Sequence, residues 1–482
     1  MADPFARFEA DAHAAVEALA RYLRESAEGR GPVLSQPPLR ELAAGLEVAR
    51  WIREGGLSGA PFREFLARYL GATTRLHHPG YFAHQVAVPE PLGAVGSLVD
   101  GVTGNAMAIY EMGPAAAAIE FAVLDWMLAK VGFTPAPLPP APPSPAPHGG
   151  GVLTHGGSLA NLTALAAARA RAAPSAWRDG VGARLAVLAP EAAHYSISRA
   201  VGILGLGQGA LRAAPCDADG RLVPDRLPAA LDALRDEGRA VMAVVASACS
   251  TAAGLYDPLR EVGALCRERG LWLHVDGAHG ASALLSERLR HRLDGIALAD
   301  SVVWDAHKML RTPTVCAAVL VRDHRTLDGA FQQDASYLFH EKDEPGFDFL
   351  HRTVECTKAA LGLRLFLALA AEGEGALARY VERQTALAAE AAALLARTPG
   401  FEVAVAPESN IVCFRVAGSD ERQLELRRRL LAQGRHYVSS TLFRGRRWLR
   451  LALMNPATRL EDVAAMADEL RALLGAAEGG AC

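Results

Sequence analysis

Lys308 closes the tetrapeptide Asp305-Ala306-His307-Lys308 at the end of an apolar run, SVVWDAHK. A lysine amine so placed can condense with a carbonyl to form a Schiff base. Asp276, in HVDGAHG, ends another apolar run, and its carboxylate can keep a heterocyclic nitrogen protonated. Gly156-Gly157-Ser158 opens the run LANLTALAAARARA. A glycine-serine turn at a helix N-terminus offers N–H groups and a hydroxyl to a phosphate. His194 starts HYSISRA, and its flat ring can stack on another ring. Taken singly, each group has an ordinary explanation: a strand-end acid, a surface lysine, a turn, a helix cap. One ligand asks for all four. Pyridoxal phosphate presents a phosphate, an aldehyde, a pyridine nitrogen that acts as an electron sink when protonated, and a ring face.

These residues need a scaffold that brings distant positions to one edge. From position 151 onward, short β-rich runs alternate with helical ones. Strands are predicted over 183–190, 240–248, 271–278, 301–307 and 316–323, with helices over 194–206 and 257–270. Near-continuous apolar strands separated by helices indicate a mainly parallel sheet covered on both faces, and such sheets bind ligands at the C-terminal ends of their strands. Further on, long helices over 354–372 and 375–398 precede strands at 410–416 and 448–454 and a helix over 421–433. The expected organisation is a helical N-terminal arm (1–75), a large cofactor-binding domain (76–365) and a smaller α+β domain (366–482). A proline-dominated stretch at 134–148 reads as an extended surface connection.

Composition narrows the setting. With 50 Lys+Arg against 53 Asp+Glu over 482 residues, the formal charge is −3, which excludes nucleic-acid binding through global charge. Hydrophobic residues at 51% exclude a wholly disordered chain. The amphipathic start MADPFARFEADAHAAVEALARYL lacks the basic and apolar regions of a signal peptide, and no uncharged apolar stretch is long enough to span a bilayer. The seven cysteines are scattered without CxxC spacing, so reduced thiols and a cytoplasmic location are expected. The 15 histidines show no zinc-like spacing, and no metal is expected.

The sequence resembles the group II pyridoxal-phosphate-dependent amino-acid decarboxylases, which include glutamate, cysteine-sulfinate, 2,4-diaminobutyrate and aromatic amino-acid decarboxylases. The resemblance runs from His78-Pro79-Gly80-Tyr81-Phe82 to Asn455-Pro456, and its most specific pieces are HVDGAHG and ADSVVWDAHKM. It implies the aspartate-aminotransferase-like fold (fold type I) and a homodimer with active sites at the subunit interface. It assigns Lys308 to the cofactor aldehyde, Asp276 to the pyridinium, His194 to ring stacking, and Gly157 and Ser158 to the phosphate. Ala278, Asp305 and His307 belong to the same two motifs and are expected to touch the cofactor. ASACSTAAGLYD matches a run of small and hydroxyl residues beside the cofactor, with Ser247 as the contact and Thr251 near it. DASYLFHEK resembles a loop whose tyrosine, Tyr337, delivers a proton to Cα after carbon dioxide leaves. WLRLALMNPAT resembles the segment whose arginine, Arg450, grips the substrate α-carboxylate, a task suited to its planar fork.

The implied activity is decarboxylation of an L-amino acid to the amine. YEMGPAAAAIE resembles the glutamate, cysteine-sulfinate and diaminobutyrate branch. Where that branch usually reads Phe-Phe-Asn-Gln, this chain has Tyr81-Phe82-Ala83-His84, and Ala108 stands where phenylalanine is usual. His84 and Ala108 are therefore candidate substrate contacts, and a small or medium polar or acidic side chain is favoured. The rival outcomes are a decarboxylating aldehyde synthase, an aminotransferase, or a non-catalytic protein of the same fold that only binds. The last would be expected to lack Lys308, Asp276 or Tyr337.

Overall fold

The computed structural model describes residues 3–136, 147–182, 184–332 and 346–478. Seven strands form a central sheet: β1 (Gly150–Thr154), β2 (Leu185–Ala189), β3 (Leu211–Ala213), β4 (Ala240–Ser247), β5 (Leu273–Asp276), β6 (Ser301–Trp304) and β7 (Ala317–Val321). Their spatial order is β1-β7-β6-β5-β4-β2-β3. Strands β1, β2, β5, β6 and β7 are buried at every position, which is why their sequences are continuously apolar.

The sheet is mainly parallel, as expected, but β7 runs against both β6 and β1. The chain between β6 and β7 holds no helix to carry it across the sheet, so it turns back beside β6. Because β1 and β6 both oppose β7, strands β1, β2, β4, β5 and β6 all point one way. Their C-terminal ends share one edge.

A second sheet consists of β8 (Phe401–Val403), β9 (Ile411–Val416), β10 (Ser439–Phe443) and β11 (Arg446–Ala452), in the order β10-β11-β9-β8, antiparallel throughout. Alternation along its strands separates two faces. Val412, Phe414, Leu449 and Leu451 pack among Leu387, Leu395, Leu430, Met466 and Leu470 of the helices Glu374–Arg397, Asp420–Gln433 and Leu460–Glu478. Ile411, Cys413 and Trp448 pack instead on Ala253 and Leu255, which follow β4. Arg450, two residues beyond Trp448, shares that face and is thereby turned toward the edge of the first sheet. A strap from the early chain closes the arrangement. The Phe82 N–H donates to the Tyr437 carbonyl (2.9 Å), and the Ala452 N–H donates to the Phe82 carbonyl (2.7 Å).

Two departures have physical causes. The helix expected from 354 begins only at Leu361. The backbone before it bonds elsewhere: the Lys358 N–H donates to the Ala106 carbonyl (3.0 Å) and the Ala360 N–H to Asp100 Oδ1 (3.1 Å). The Lys358 ammonium is itself buried on Glu120, 2.5 Å away. The strand β1 is not marked in the sequence because it opens on Gly150-Gly151, weak β-formers. A Cβ at Gly151 would lie 2.7 Å from the Val319 carbonyl oxygen, so close packing on β7 excludes a side chain there. Among the described residues, no helix is long and apolar enough to cross a membrane.

The exit of β4 is pinned by Asp257, whose carboxyl accepts the N–H groups of Ser247 (2.6 Å) and Leu222 (2.8 Å). Burial pushes its pKa from 3.8 up to about 6. The native chain then holds this proton more tightly than the unfolded chain, so Asp257 makes stability fall as pH rises through that window. Asp257→Asn lacks the titration. Its deficit in urea-unfolding stability relative to the unsubstituted chain should shrink between pH 4 and pH 6, and a constant deficit would exclude Asp257 from the pH response.

Candidate active site

The shared edge collects what the strands deliver. Strand β4 ends in Ser247 and β5 in Asp276; β6 leads directly into Asp305 and Lys308. Strand β1 runs into the turn Gly156–Ser158, and β2 leads to His194. A cavity of about 320 Å³ lies here, lined among others by Gly157, Ser158, His194, Ser247, Thr251, Asp276, Ala278, Asp305, His307 and Lys308.

The turn depends on glycine twice. Gly156 caps the helix Gly157–Ala172 with φ +100°, a conformation that side chains resist. At Gly157 the constraint is space: a Cβ would lie 2.7 and 2.8 Å from the two carboxylate oxygens of Asp305. The first-turn N–H groups of Gly157 and Ser158 have no partner within their helix, and they stand at its positive end beside the cavity.

Lys308 Nζ lies 3.1 Å from Asp305 Oδ2. Asp305 is buried, and its Oδ1 has no hydrogen-bond partner among the described residues. His307 sets its Nδ1 2.7 Å from the Cys316 carbonyl and its Nε2 3.6 Å from Asp305 Oδ2. Asp276, also buried, accepts from Asn161 Nδ2 (3.0 Å) and from the Ala278 N–H (3.2 Å).

His194 is both a helix cap and a cavity residue: its Nδ1 accepts the Ser196 N–H at 3.3 Å while the ring lines the cavity. Burial holds its pKa below the ordinary value, with Asp276 pulling the other way. His279 is more strongly affected, pushed down to about 3 by burial and then by Lys308. Its Nε2 lies 2.6 Å from Asn410 Oδ1, and its buried Nδ1 has no partner among the described residues.

Arg450 sits one residue behind the cavity wall. Its Nη2 donates to Oε1 of Gln85 (2.8 Å), a residue that lines the cavity, and Nη1 reaches Ser439 Oγ at 3.4 Å and the Ala83 carbonyl at 3.5 Å. All these partners are neutral. Arg450 is only 6% exposed, its Nε is unpartnered, and no described carboxylate pairs with it.

Besides Arg450, two sequence candidates stand outside the cavity lining. His84 is exposed, with Nε2 2.9 Å from Tyr437 Oη, and its neighbour Gln85 lines the cavity instead. Ala108 is buried, and its carbonyl accepts the Leu350 N–H at 3.3 Å. Tyr337 lies outside the described residues. Residues that sequence reasoning passed over include Gln85, Asn161, Cys249, His279 and His155, the last paired with Glu355. Asn161 had a signal, a polar residue inside the apolar helical run LANLTALAAA; the partner of His155 is 200 positions away and left none.

Gly157→Ala tests the close approach. Forcing a methyl group onto the buried Asp305 carboxylate should destabilise the chain by about 1–3 kcal/mol. The variant should also bind pyridoxal phosphate more weakly in an apoprotein titration. Unchanged unfolding and unchanged affinity would show that Asp305 moves aside freely.

Comparisons with known proteins identify the family. The pyridoxal-dependent decarboxylase conserved domain matches residues 69–417. The chain is 30% identical to cysteine sulfinic acid decarboxylase of Homo sapiens over 337 residues, 69% of this chain and 66% of that protein. It is 29% identical to the acidic amino acid decarboxylase GADL1 of Bos taurus over 68% of this chain and 62% of that one. The aligned stretch thus spans somewhat less than two thirds of either relative. Among solved structures, mouse CSAD superposes with a TM-score of 0.88 at 26% identity, covering 98% of this chain and 99% of that one. Oryza sativa TDC with PLP and tryptamine gives a TM-score of 0.87 at 26% identity, covering 98% and 100%. The chain belongs to the pyridoxal-dependent decarboxylase family, a family of carboxy-lyases, and its cofactor is pyridoxal phosphate.

Proposed function

We propose that the chain decarboxylates an L-amino acid with a small or medium acidic side chain, releasing carbon dioxide and the amine. The observation that carries this reading is Arg450: a buried guanidinium with neutral partners, one residue from a cavity that holds Lys308. An unpaired buried cation is costly, and a substrate carboxylate is the group that would complete it. The relatives named for cysteine sulfinic acid and acidic amino acids support an acidic side chain.

The site fits the cofactor on its own terms. Asp305 Oδ1 and His279 Nδ1 are buried and unpartnered at the cavity, and the space beside Gly157 is closed to any side chain. When bound, pyridoxal phosphate supplies a conjugated ring that takes up the electron pair left by the departing carboxylate. The N–H groups of Gly157 and Ser158 bind its phosphate, with Ser247 and Thr251 beside them at the cavity wall. Asp276 holds the proton on its ring nitrogen, with Ala278 donating to Asp276, and His194 packs on the ring face. Lys308 Nζ tethers it, while Asp305 and His307 hold the proton on that amine. Arg450 binds and orients the substrate α-carboxylate, and Gln85 takes the wall position beside it. Tyr337 delivers the proton to Cα.

A second copy of the chain completes this reading. The helix Pro91–Thr103 exposes Leu92, Val95, Val99 and Val102 as one apolar stripe. In the helices Pro4–Ala27, Leu39–Gly45, Val48–Glu54 and Ala60–Gly71 only Ser26 is buried, leaving Phe5, Leu39 and Ile52 in solvent. Apolar surface on this scale is expected to be covered, here by the same surface of a partner. Sedimentation velocity should therefore report a two-chain particle, and a monomer at micromolar concentration would refute the dimer.

The activity test is a panel of L-amino acids: glutamate, aspartate, cysteine sulfinate, 2,4-diaminobutyrate, ornithine, lysine and aromatics, scored for carbon dioxide, amine and aldehyde. Carbon dioxide and amine from an acidic member are expected, whereas an aldehyde-rich, amine-free product would overturn the assignment. Lys308→Ala should abolish the visible absorbance that the chain develops with pyridoxal phosphate. Arg450→Ala should raise KM roughly ten- to hundred-fold, the worth of a charge-assisted hydrogen bond.

A further inference from the structure

Two groups that face the cavity, Asp276 and His194, share one neighbour. Asn161 lies within the helix Gly157–Ala172 and is 1% exposed. Its Nδ2 is 3.0 Å from Asp276 Oδ2 and 2.8 Å from Ser196 Oγ, and its Oδ1 is 2.9 Å from His274 Nε2. On the far side, His274 Nδ1 lies 2.8 Å from Ser301 Oγ, which is 2.9 Å from Trp272 Nε1. Toward the cavity, Ser196 Oγ lies 2.8 Å from His194 Nδ1.

The Asp276 end of this chain fixes the direction of the bonds at Asn161. A carboxylate can only accept, so Asn161 Nδ2 faces Asp276 and its Oδ1 faces His274 Nε2. His274 therefore carries its hydrogen on Nε2 and donates it to Asn161 Oδ1. Both Asn161 Nδ2 hydrogens are then free for the Asp276 carboxylate, which can only accept, and for Ser196. At the cavity end, His194 Nδ1 accepts the Ser196 N–H, which leaves the hydrogen of His194 on Nε2. The reversed amide would aim Oδ1 at a carboxylate, two acceptors facing each other in a buried site. Burial also pushes His274 down to about 4, against the pull of Asp276, so its ring stays neutral near pH 7.

We propose that Asn161 is the positioning residue of this site: one amide side chain aims the Asp276 carboxylate and fixes the tautomer of His274. The proposal rests on the reading of Asp276 and His194 as the cofactor's ring partners. Asparagine is the residue that meets the demand at this length. Aspartate has no hydrogen to give and would set two carboxylates side by side, and an aliphatic residue would strand the His274 N–H.

The test reads tautomers and affinity rather than turnover. In the full-length apoprotein labelled with 15N-histidine, His274 and His194 should both appear in NMR spectra as neutral Nε2–H rings. An Nδ1–H or doubly protonated His274 at neutral pH overturns the proposal, and this needs no variant to fold. In Asn161→Ala, His274 should lose its single tautomer, and in both Asn161→Ala and Asn161→Asp the affinity for pyridoxal phosphate should fall about tenfold or more. Ser196→Ala should leave His274 as Nε2–H and cost less affinity than Asn161→Ala. If Asn161→Ala keeps both the His274 tautomer and the affinity, Asn161 only fills space. Failure of the unsubstituted apoprotein to bind pyridoxal phosphate would refute the reading of the site, whereas the tautomers, measured without cofactor, judge Asn161 separately.

Discussion

A carboxyl group buried at the end of β5 needs donors, and much of the site follows from supplying them. Asp276 is 8% exposed, and water cannot solvate it as it would at a surface. Its hydrogen bonds come from the Ala278 N–H, which requires the chain to turn sharply after the strand, and from Asn161, which requires the helix Gly157–Ala172 to cross behind it. That helix begins at the Gly156–Ser158 turn. The donor for the carboxylate and the N–H groups for an anion are therefore carried by one rigid element, so the two ends of a bound ligand are held at a fixed separation.

The second constraint is charge balance inside the cavity. Lys308 is met by Asp305, whose other oxygen stays unpartnered, and Arg450 is met by no described carboxylate. Under the proposed function, the site is paired where the lysine would be held and left open where a substrate carboxylate would be gripped. His279, packed near both cations, cannot add a third charge, since burial and Lys308 keep it neutral. With Asp276 counted, two carboxylates stand against Lys308 and Arg450, so the opening for an anionic ligand is local, at the unpaired guanidinium.

The residues legible in the sequence were those whose chemistry is unusual for their local setting: Asp276 and Lys308 after apolar strands, two glycines and a serine before a helix, a histidine before another. Each is one step from a strand end, so reading the strands correctly was enough to group them. What stayed hidden depends on long-range geometry. Arg450 follows the alternation of β11, but Gln85, its partner, is brought there by the strap that joins Phe82 to Tyr437 and Ala452, pairings 355 and 370 positions apart in sequence. His84 rather than Gln85 looked like the wall residue, because a one-residue change of facing along an extended strap has no signature in composition. Strand β1 was hidden for a different reason: its glycines are selected by proximity to β7, which local propensity does not register.

The antiparallel return of β7 has a consequence for catalysis that a purely parallel sheet would lack. Because the chain leaves β6, passes through Asp305 and Lys308 and re-enters the sheet beside β6, the lysine sits in a short connection anchored at both ends. The His307 N–H donates to the Cys316 carbonyl (3.0 Å) and the Asp305 N–H to the Ala278 carbonyl (3.1 Å). The first bond closes the connection on itself at the start of β7, and the second ties it to the turn that follows Asp276. Lys308 and Asp276 are thus spaced by backbone hydrogen bonds rather than by side-chain packing. A group tethered at one and charged at the other would be held in one orientation, and it is orientation that decides which bond of an amino acid is weakened.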